Sequence, residues 1–482
     1  MGKYSVPEEI RKMKPKGTMV KVINGKYYVY EHSFVKVDDK WKTKMGKLIG
    51  SISEDLGFIP NQNYSKNEML TSMNFGEYFI SYKLSSNVLD KLLEVFNTKE
   101  AHQIYLLSLL HFVNGFTYVK NIKPDYDLSY LSKRYPSISL SEHIITNLFD
   151  DLGKHTTNVE KFEQLLADKS SKELAVDGHV IKTSSHDNGL AENGNKRNKF
   201  NDYQMNALMA YDINNSQPIF SRIYPGGTMD NISFKDIFKR IDFNNTLFII
   251  DKGFLDPENL RLCSENGNKY IIPLKANCSA YKKITTDLKF DNIFTYQKGK
   301  KHTPIQYKSE TVDGVTVTAF KDLSQYALES ADYMSKIGDE KGVYTLEKYN
   351  ELEKSFGLIV LQSNLDKTPE EIYKLYKKRW TIETFYDYYK NKLEVDATYS
   401  RDYYQAQGLS FILLITSLIH SEFVKNTTKL KKSVTDILLD ARYVKLHYKK
   451  TKWELENLSK KHYELFNSLG LNLNEELEYL NK

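Results

Sequence analysis

The 482-residue chain is 40% hydrophobic and 27% charged, ordinary for a globular protein, and long enough for about three domains of ~150 residues each. Collagenous, mucin-like and wholly disordered classes are excluded. A net charge of +6, from 68 basic and 62 acidic residues, is too mild to identify a polyanion partner by itself.

The distribution of charge says more. Residues 1–50 hold twelve Lys/Arg against five Asp/Glu, and Lys425 to Lys461 hold eleven against four, so both stretches are strongly basic and the middle is acidic. Basic ends around an acidic centre suit a protein that grips phosphate backbones and keeps carboxylates for something else; a Lys-rich solvated surface is the bland alternative. Cys263 and Cys278 are the two cysteines, which excludes a disulfide framework and a four-cysteine zinc site, so a reducing cytoplasm is the expected home. The N-terminal stretch lacks the apolar segment of a signal peptide. The longest apolar stretch, Leu409 to Ile419, is interrupted by Ser410, Thr416 and Ser417 and is too short to span a bilayer, so no membrane is expected.

In chain order, residues 18–50 alternate apolar and polar positions around turns at Asn24-Gly25 and Asp38-Asp39, which predicts a basic antiparallel meander. Helical spacing runs from Asn87 to Val113, from Leu128 to Leu152 and from Val159 to Leu166. Leu128 to Leu148 can be drawn as two short helices joined near Pro136, which fits either a helix-turn-helix or a plain packing unit. From Glu173 the pattern becomes strands at Leu174–Val176, Asn206–Tyr211 and Pro218–Tyr224. A helix at Ser233–Ile241 follows, then a buried strand Thr246–Ile250 ending on Asp251, a helix at Glu258–Glu265 and a strand at Tyr270–Leu274. That β-β-β-α-β-α-β order predicts a mixed sheet with crossover helices. Residues 279–361 read as an insertion of short strand-like pieces with glycine turns, closing on the strand Gly357–Leu361. Thr368-Pro369-Glu370-Glu371 is a helix start, and the helix is expected to run to about Leu393. Residues 403–470 read as mostly helical and basic. No fixed-period repeat is present.

Asp177 and Asp251 stand at the ends of apolar strands, where a carboxylate is costly unless a positive or hydrogen-bonding group meets it. Two such aspartates plus a third acid could hold a hard divalent ion; each alone is more simply explained as the cap of a turn or helix. The third acid is sought on the helix from Thr368. At 100° per residue, Tyr376, Arg379, Glu383 and Lys390 share one face, beside an apolar stripe of Leu375, Ile382, Tyr386 and Tyr389. An ordinary amphipathic helix with an Arg379/Glu383 surface pair has the same spacing.

Tyr376-x2-Arg379-x3-Glu383-x6-Lys390, within YKKRWTIETFYDYYKNKLEVD, resembles the YREK helix of DDE transposases from bacterial insertion sequences of the insertion-sequence-four type. Asp177-Gly178 resembles the first-aspartate motif of that family. PGGTMDN (Pro225 to Asn231) resembles the segment before its first helix, and IIDKGFLDPENL (Ile249 to Leu260) its second-aspartate motif. The resemblance covers roughly residues 173–420. The chain departs from the family's pattern at His179, where Thr or Ser is frequent, at Gly227, where Asn is common, and at Lys252, where Arg or Ala is usual.

The resemblance implies an α/β, ribonuclease H-like mixed sheet flanked by helices. A mainly β insertion lies between the second Asp and the catalytic Glu helix, with N-terminal small β and helical regions. Its domains would be a basic meander at 1–60, a helical, candidate DNA-binding region at 61–170, a catalytic core at 171–278 and 363–420 around a β-rich insertion at 279–362, and a basic helical region at 421–482. It implies metal-dependent cutting at terminal inverted repeats and joining of 3′-hydroxyl ends to target DNA. Asp177, Asp251 and Glu383 would be the catalytic residues and metal ligands, holding two Mg²⁺ ions that Mn²⁺ can replace. Tyr376, Arg379 and Lys390 would clamp DNA phosphates. The implied partners are double-stranded DNA with terminal inverted repeats, target DNA and a second copy of the chain in the synaptic complex. A catalytically inactive DNA-binding relative and a stand-alone ribonuclease H-like nuclease are the alternatives. Trp380, about 100° round the helix from Arg379, is expected to pack rather than stack on a base. His179 and His186, and the insertion aromatics Phe294, Tyr296, Tyr307, Phe320 and Tyr326, read either as nucleic-acid contacts or, more simply, as packed side chains.

Overall fold

The computed structural model describes residues 6–37, 40–55, 57–61, 72–182, 189–193, 203–312, 314–337, 343–391, 393, 402–449 and 451–482. Met1–Phe75, Tyr443–Ser459 and Asn472–Lys482 form one compact unit, and Gly76–Arg442 with Lys460–Leu471 form a second.

In the smaller unit, helix Glu8–Met13 precedes an antiparallel meander of β1 (Thr18–Ile23), β2 (Lys26–Val37), β3 (Lys40–Ser53) and β4 (Gly57–Pro60), paired in chain order. The turn predicted at Asn24-Gly25 has φ of 51° and 76°, the left-handed pair that a two-residue hairpin needs and Asn-Gly supplies. The other predicted turn, Asp38-Asp39, lies outside the described residues. Ile10, Val29, Ile49 and Ile52 form the core of this meander. β5 (Ser72–Asn74) closes the first passage through the unit.

The larger unit opens with helices Gly76–Leu84, Ser86–Leu93, Thr98–Asn114, Val119–Leu128, Leu131–Arg134, Glu142–Lys154 and Thr157–Asp168. The single pattern from Asn87 to Val113 is split in two because the Asn97 side chain accepts the Glu100 N–H at 3.0 Å and starts a new helix. The helix pair expected near Pro136 is realised as Leu131–Arg134 and Glu142–Lys154, and the latter is a packing element. Gly153 and Gly408 let it meet helix Tyr403–Thr427 backbone to backbone, since a Cβ on either would strike the carbonyls of Tyr404 and Phe149.

The central sheet contains β6 (Glu173–Lys182), β7 (Glu192–Asn193), β8 (Tyr203–Asp212), β9 (Gln217–Pro225), β10 (Leu247–Ile250), β11 (Lys269–Pro273), β12 (Asn292–Lys298), β13 (Lys301–Val312), β14 (Val315–Asp322) and β15 (Leu358–Ser363). They form one mixed sheet in the order β12-β13-β14-β15-β11-β10-β6-β8-β7, with β9 on β8. β10 runs parallel to both β6 and β11, and helices Asp230–Arg240 and Pro257–Leu262 supply the crossovers, in the predicted element order.

The insertion differs from the expectation of short strands alone. Its strands continue the same sheet through β14, β15 and β11, and it also carries helices Ser279–Thr285, Leu323–Ser335 and Leu346–Leu352. Asp322 ends β14 and starts the second of these by accepting the Gln325 N–H at 2.9 Å.

Tyr403–Thr427 packs against β9 and helices Thr98–Asn114 and Glu142–Lys154. It exceeds the eleven-residue apolar run because its polar residues turn back on their own helix. Thr416 Oγ1 donates to Ile412 O at 2.9 Å and Ser417 Oγ to Leu413 O at 2.8 Å. Together with the turn that carries it on to Leu430 it is long and apolar enough to cross a membrane, but 83% of its most apolar stretch is buried in the protein, which makes it a core helix.

Where the sequence predicted basic helix, β16 (Lys445–Lys449) and β17 (Lys452–Glu456) form a hairpin and pair with β5. Leu446 and Tyr448 opposite Leu455 and Trp453 set a period of two that the high charge concealed.

Candidate active site

β10 pairs with β6 in parallel from Leu247 opposite Glu173 to Ile250 opposite Val176. The next residues are Asp251 and Asp177, side by side at the mouth of the sheet. Asp251 leads straight into the turn Lys252–Phe254. Asp177, expected at a strand end, instead lies within the ten-residue β6, where its neighbour β10 stops. Its Oδ1 accepts the Gly178 N–H at 3.0 Å. Burial raises the Asp177 carboxyl to about 6, against the opposing pull of the Arg379 guanidinium and the Gly178 N–H; the charges of Asp251 and Glu383 add to the rise.

The helix from Thr368 begins as predicted. Thr368 and Glu371 form a reciprocal capping box, Pro369 occupies the first turn, and Ile372, Tyr373 and Leu375 are buried. It does not run unbroken to Leu393. It ends at Lys377, and a second helix spans Trp380–Asn391. Between them the bonds tighten to three-residue steps: the Arg379 N–H donates to Tyr376 O at 3.0 Å and the Ile382 N–H to Arg379 O at 3.1 Å. No Gly or Pro marks the joint. Side chains at the joint are tied elsewhere: Lys378 Nζ reaches Glu173 Oε2 at 3.1 Å and Asn214 Oδ1 at 3.3 Å.

Arg379 connects the acids. Its Nη2 donates to Glu383 Oε1 at 2.7 Å, and its Nη1 stands 3.7 Å from Asp177 Oδ2. Burial works against the guanidinium charge, yet Tyr376, Asp177, Asp251 and Glu383 outweigh it and hold Arg379 above its ordinary value. Tyr376 is pushed up by burial, with Arg379 opposing. Asp177, Asp251, Glu383, Tyr376 and Arg379 therefore share one electrostatic site. Lys390 lies in the second helix, and its side chain is outside the described residues, as is His186.

The donor chemistry of three carboxylates fits a hard divalent ion of the Mg²⁺ class. Among the described residues no three His, Cys, Asp or Glu side chains form a metal-sized cluster; the Arg379 guanidinium lies between Asp177 and Glu383.

Several nearby features had weak sequence signals. Asp230 Oδ1 lies 3.1 Å from where a Cβ on Gly178 would stand, and its Oδ2 3.2 Å from the same point on Gly253. Neither glycine has a positive φ, so each clears room for Asp230 rather than permitting a turn. The glycines soon after each aspartate were the available clue. Tyr386 donates to the Asp177 carbonyl at 2.8 Å and packs against His179, with ring centroids 5.6 Å apart. His179 is thus a packed side chain. A cleft of about 520 Å³ opens beside Asp251, lined by Lys252, Lys275, Tyr281 and Tyr376.

Trp380 contradicts the expectation that it packs: it is 59% exposed, and Lys298 Nζ sits 5.1 Å from its ring centroid. The uniform 100° step failed because the joint at Lys378 and Arg379 restarts the helix at Trp380. Phe294, Tyr296 and Phe320 of the insertion do pack, ringing Tyr373 at centroid distances of 5.6, 5.4 and 5.0 Å. The insertion is thereby fastened to the helix before Glu383.

Residues 168–419 match the family described as the transposase DDE domain. The chain belongs to that family. No curated protein matches the sequence of this transposase. Among solved structures it is similar to a cryo-EM structure of piggyBac transposase in a synaptic complex with hairpin DNA. The TM-score is 0.40 at 12% sequence identity, over 76% of this chain and 80% of that one.

Proposed function

We propose that this DDE transposase is of the insertion-sequence-four type, with a ribonuclease H-like core, and that it cuts DNA at terminal inverted repeats and joins the freed 3′-hydroxyl ends to target DNA. The observation that carries this reading is the meeting of Asp177, within β6 where β10 stops, and Asp251, just past the end of β10, with Glu383 around the charge of one guanidinium. Asp177, Asp251 and Glu383 would hold two divalent ions of the Mg²⁺ class, with Mn²⁺ as a substitute. When bound, such ions supply Lewis-acid activation of the attacking oxygen and neutralise charge on the phosphate.

The chain's own side chains then have distinct tasks. The carboxylates would hold that positive charge at the site and so position the reacting phosphodiester. Arg379 exchanges its carboxylate partners for phosphate oxygens, where its planar fork gives bidentate geometry. Tyr376 backs Arg379 with its hydroxyl, and Lys390 is the second cationic arm of the clamp. Double-stranded DNA with terminal inverted repeats and target DNA are the substrates, and a second copy of the chain is the partner that pairs two ends.

The test is a cleavage and strand-transfer assay on DNA bearing the element's own ends, with Mg²⁺ or Mn²⁺. Asp251→Asn and Glu383→Gln are expected to abolish both products. Cutting at the parental rate by either variant would remove the site assignment. A second reading, a DNA-binding protein without catalysis, draws on Arg379 standing between the acids; it predicts unchanged DNA affinity and no metal-dependent nicks in the parent chain.

A further inference from the structure

The hairpin of β2 and β3 outgrows the sheet it belongs to. β1 covers β2 only from Lys26 to Glu31, and β4 covers β3 only from Gly50 to Ser53. From His32 to Val37 and from Lys40 to Met45 the two strands pair with each other alone, among the described residues. A bulge marks where the ribbon departs: Tyr30 pairs with Leu48, and the next pair is His32 with Met45. Gly46 makes the bulge possible, since a Cβ there would lie 2.9 Å from the Glu31 Cβ.

Opposed residues of an antiparallel pair share a face. Phe34 opposite Thr43, and Trp41 opposite Lys36, put aromatic rings on one face; Lys42 opposite Val35, and Lys44 opposite Ser33, put cations on the other. Phe34 is 64% and Trp41 69% exposed. Lys42 and Lys44 are exposed and make no ion pair among the described residues. A bare two-stranded ribbon with an aromatic face open to water is marginal by itself, so it is built to be covered.

We propose that this ribbon lies in the major groove of duplex DNA, an inference that rests on the reading of the chain as a DNA-processing enzyme. Charge selects the occupant. From His32 to Ser53 the sequence holds five lysines against Asp38 and Asp39 at the connection of the two strands, so a second copy of the ribbon would set net positive charge against net positive charge, whereas a polyanion is complementary. Shape agrees, because the major groove admits a two-stranded ribbon and six residues span about 20 Å. Lys42 and Lys44 are long enough to reach phosphates at the groove walls. Phe34 and Trp41 offer apolar surface to base edges such as thymine methyl groups.

Fluorescence anisotropy with the full chain tests this, using a short labelled duplex of mixed sequence and one carrying the element's end, over a range of salt concentrations. The double substitution Lys42→Glu with Lys44→Glu is expected to weaken binding about ten-fold or more and to lower the salt slope by about two. Phe34→Ser with Trp41→Ser should erode the preference for the element's end. Intrinsic tryptophan quenching by DNA should diminish in Trp41→Phe. Parental affinity in all these variants overturns the proposal, and so does a change confined to oligomeric mass in sedimentation, which would assign the face to a second copy. Metal-dependent nicking by the parent that is lost in Asp251→Asn reports separately on the wider reading. A parent chain that neither nicks nor binds either duplex removes that reading, and this inference with it.

Discussion

Arg379 and Glu383, one helical turn apart, are joined by a 2.7 Å hydrogen bond, while the same guanidinium reaches toward Asp177 at 3.7 Å. The cation thus sits where the acids would otherwise repel one another. Arg379→Gln removes that charge and leaves three carboxylates facing one site. Calorimetric titration with Mn²⁺ in the absence of DNA is expected to give several-fold tighter binding than in the parent, while affinity for duplex DNA falls. Equal Mn²⁺ affinity in both proteins would mean that the guanidinium does not guard the acids.

A pH dependence follows from Asp177. Its folded-state carboxyl is raised to about 6 by burial, above the ordinary aspartate range near 4. Between those values the folded chain binds more protons than the unfolded one, so stability falls as pH rises through about 4 to 6, and the buried charge remains a cost above that window. Asp177→Asn is expected to stabilise the chain by on the order of 2 kcal/mol at pH 7.5 and by little at pH 4. Thermal unfolding at the two pH values checks this; stabilisation that is equal at both would refute it.

Arg222 and Glu163 form a buried ion pair at 3.3 Å, joining β9 to helix Thr157–Asp168. Burial raises Glu163 to about 7, opposed by Arg222, so the pair is held by its geometry. Arg222→Met strands the carboxylate and should cost about 3–5 kcal/mol. Adding Glu163→Leu should recover most of that loss in urea unfolding. A double variant as unstable as the single one would show that the damage lies in packing.

The crossing of Glu142–Lys154 and Tyr403–Thr427 depends on two missing side chains. Gly408→Ala places a methyl group against the Phe149 carbonyl and should destabilise by about 1–3 kcal/mol through overpacking. Hydrogen exchange of the amides from Phe411 to Leu418 reads the effect locally, and unaltered protection there would contradict the close approach.

Much of the core was legible because local rules and burial agreed. Thr246 to Ile250 is apolar on both faces and ends on Asp251, and Thr368-Pro369 carries a complete helix start. The joint at Lys378 and Arg379 was not legible, since nothing local breaks the helix there and its contacts to Glu173, Asn214 and Asp177 come from distant chain. Helix Leu323–Ser335 was missed for the opposite reason: Tyr333 is its one buried residue, so it shows little apolar periodicity. Trp380 was misread because a helix assumed continuous assigns every residue a fixed angle.

The stretch between the second aspartate and the glutamate leaves β11, adds β12, β13 and β14 to one end of the sheet and returns on β15, where Pro273 stands directly opposite Leu361 in the antiparallel pair with β11. Departure and re-entry through neighbouring strands make this passage a cassette. Lengthening or shortening this passage beyond β14 would leave the pairing of β6, β10 and β11 behind the acids in register.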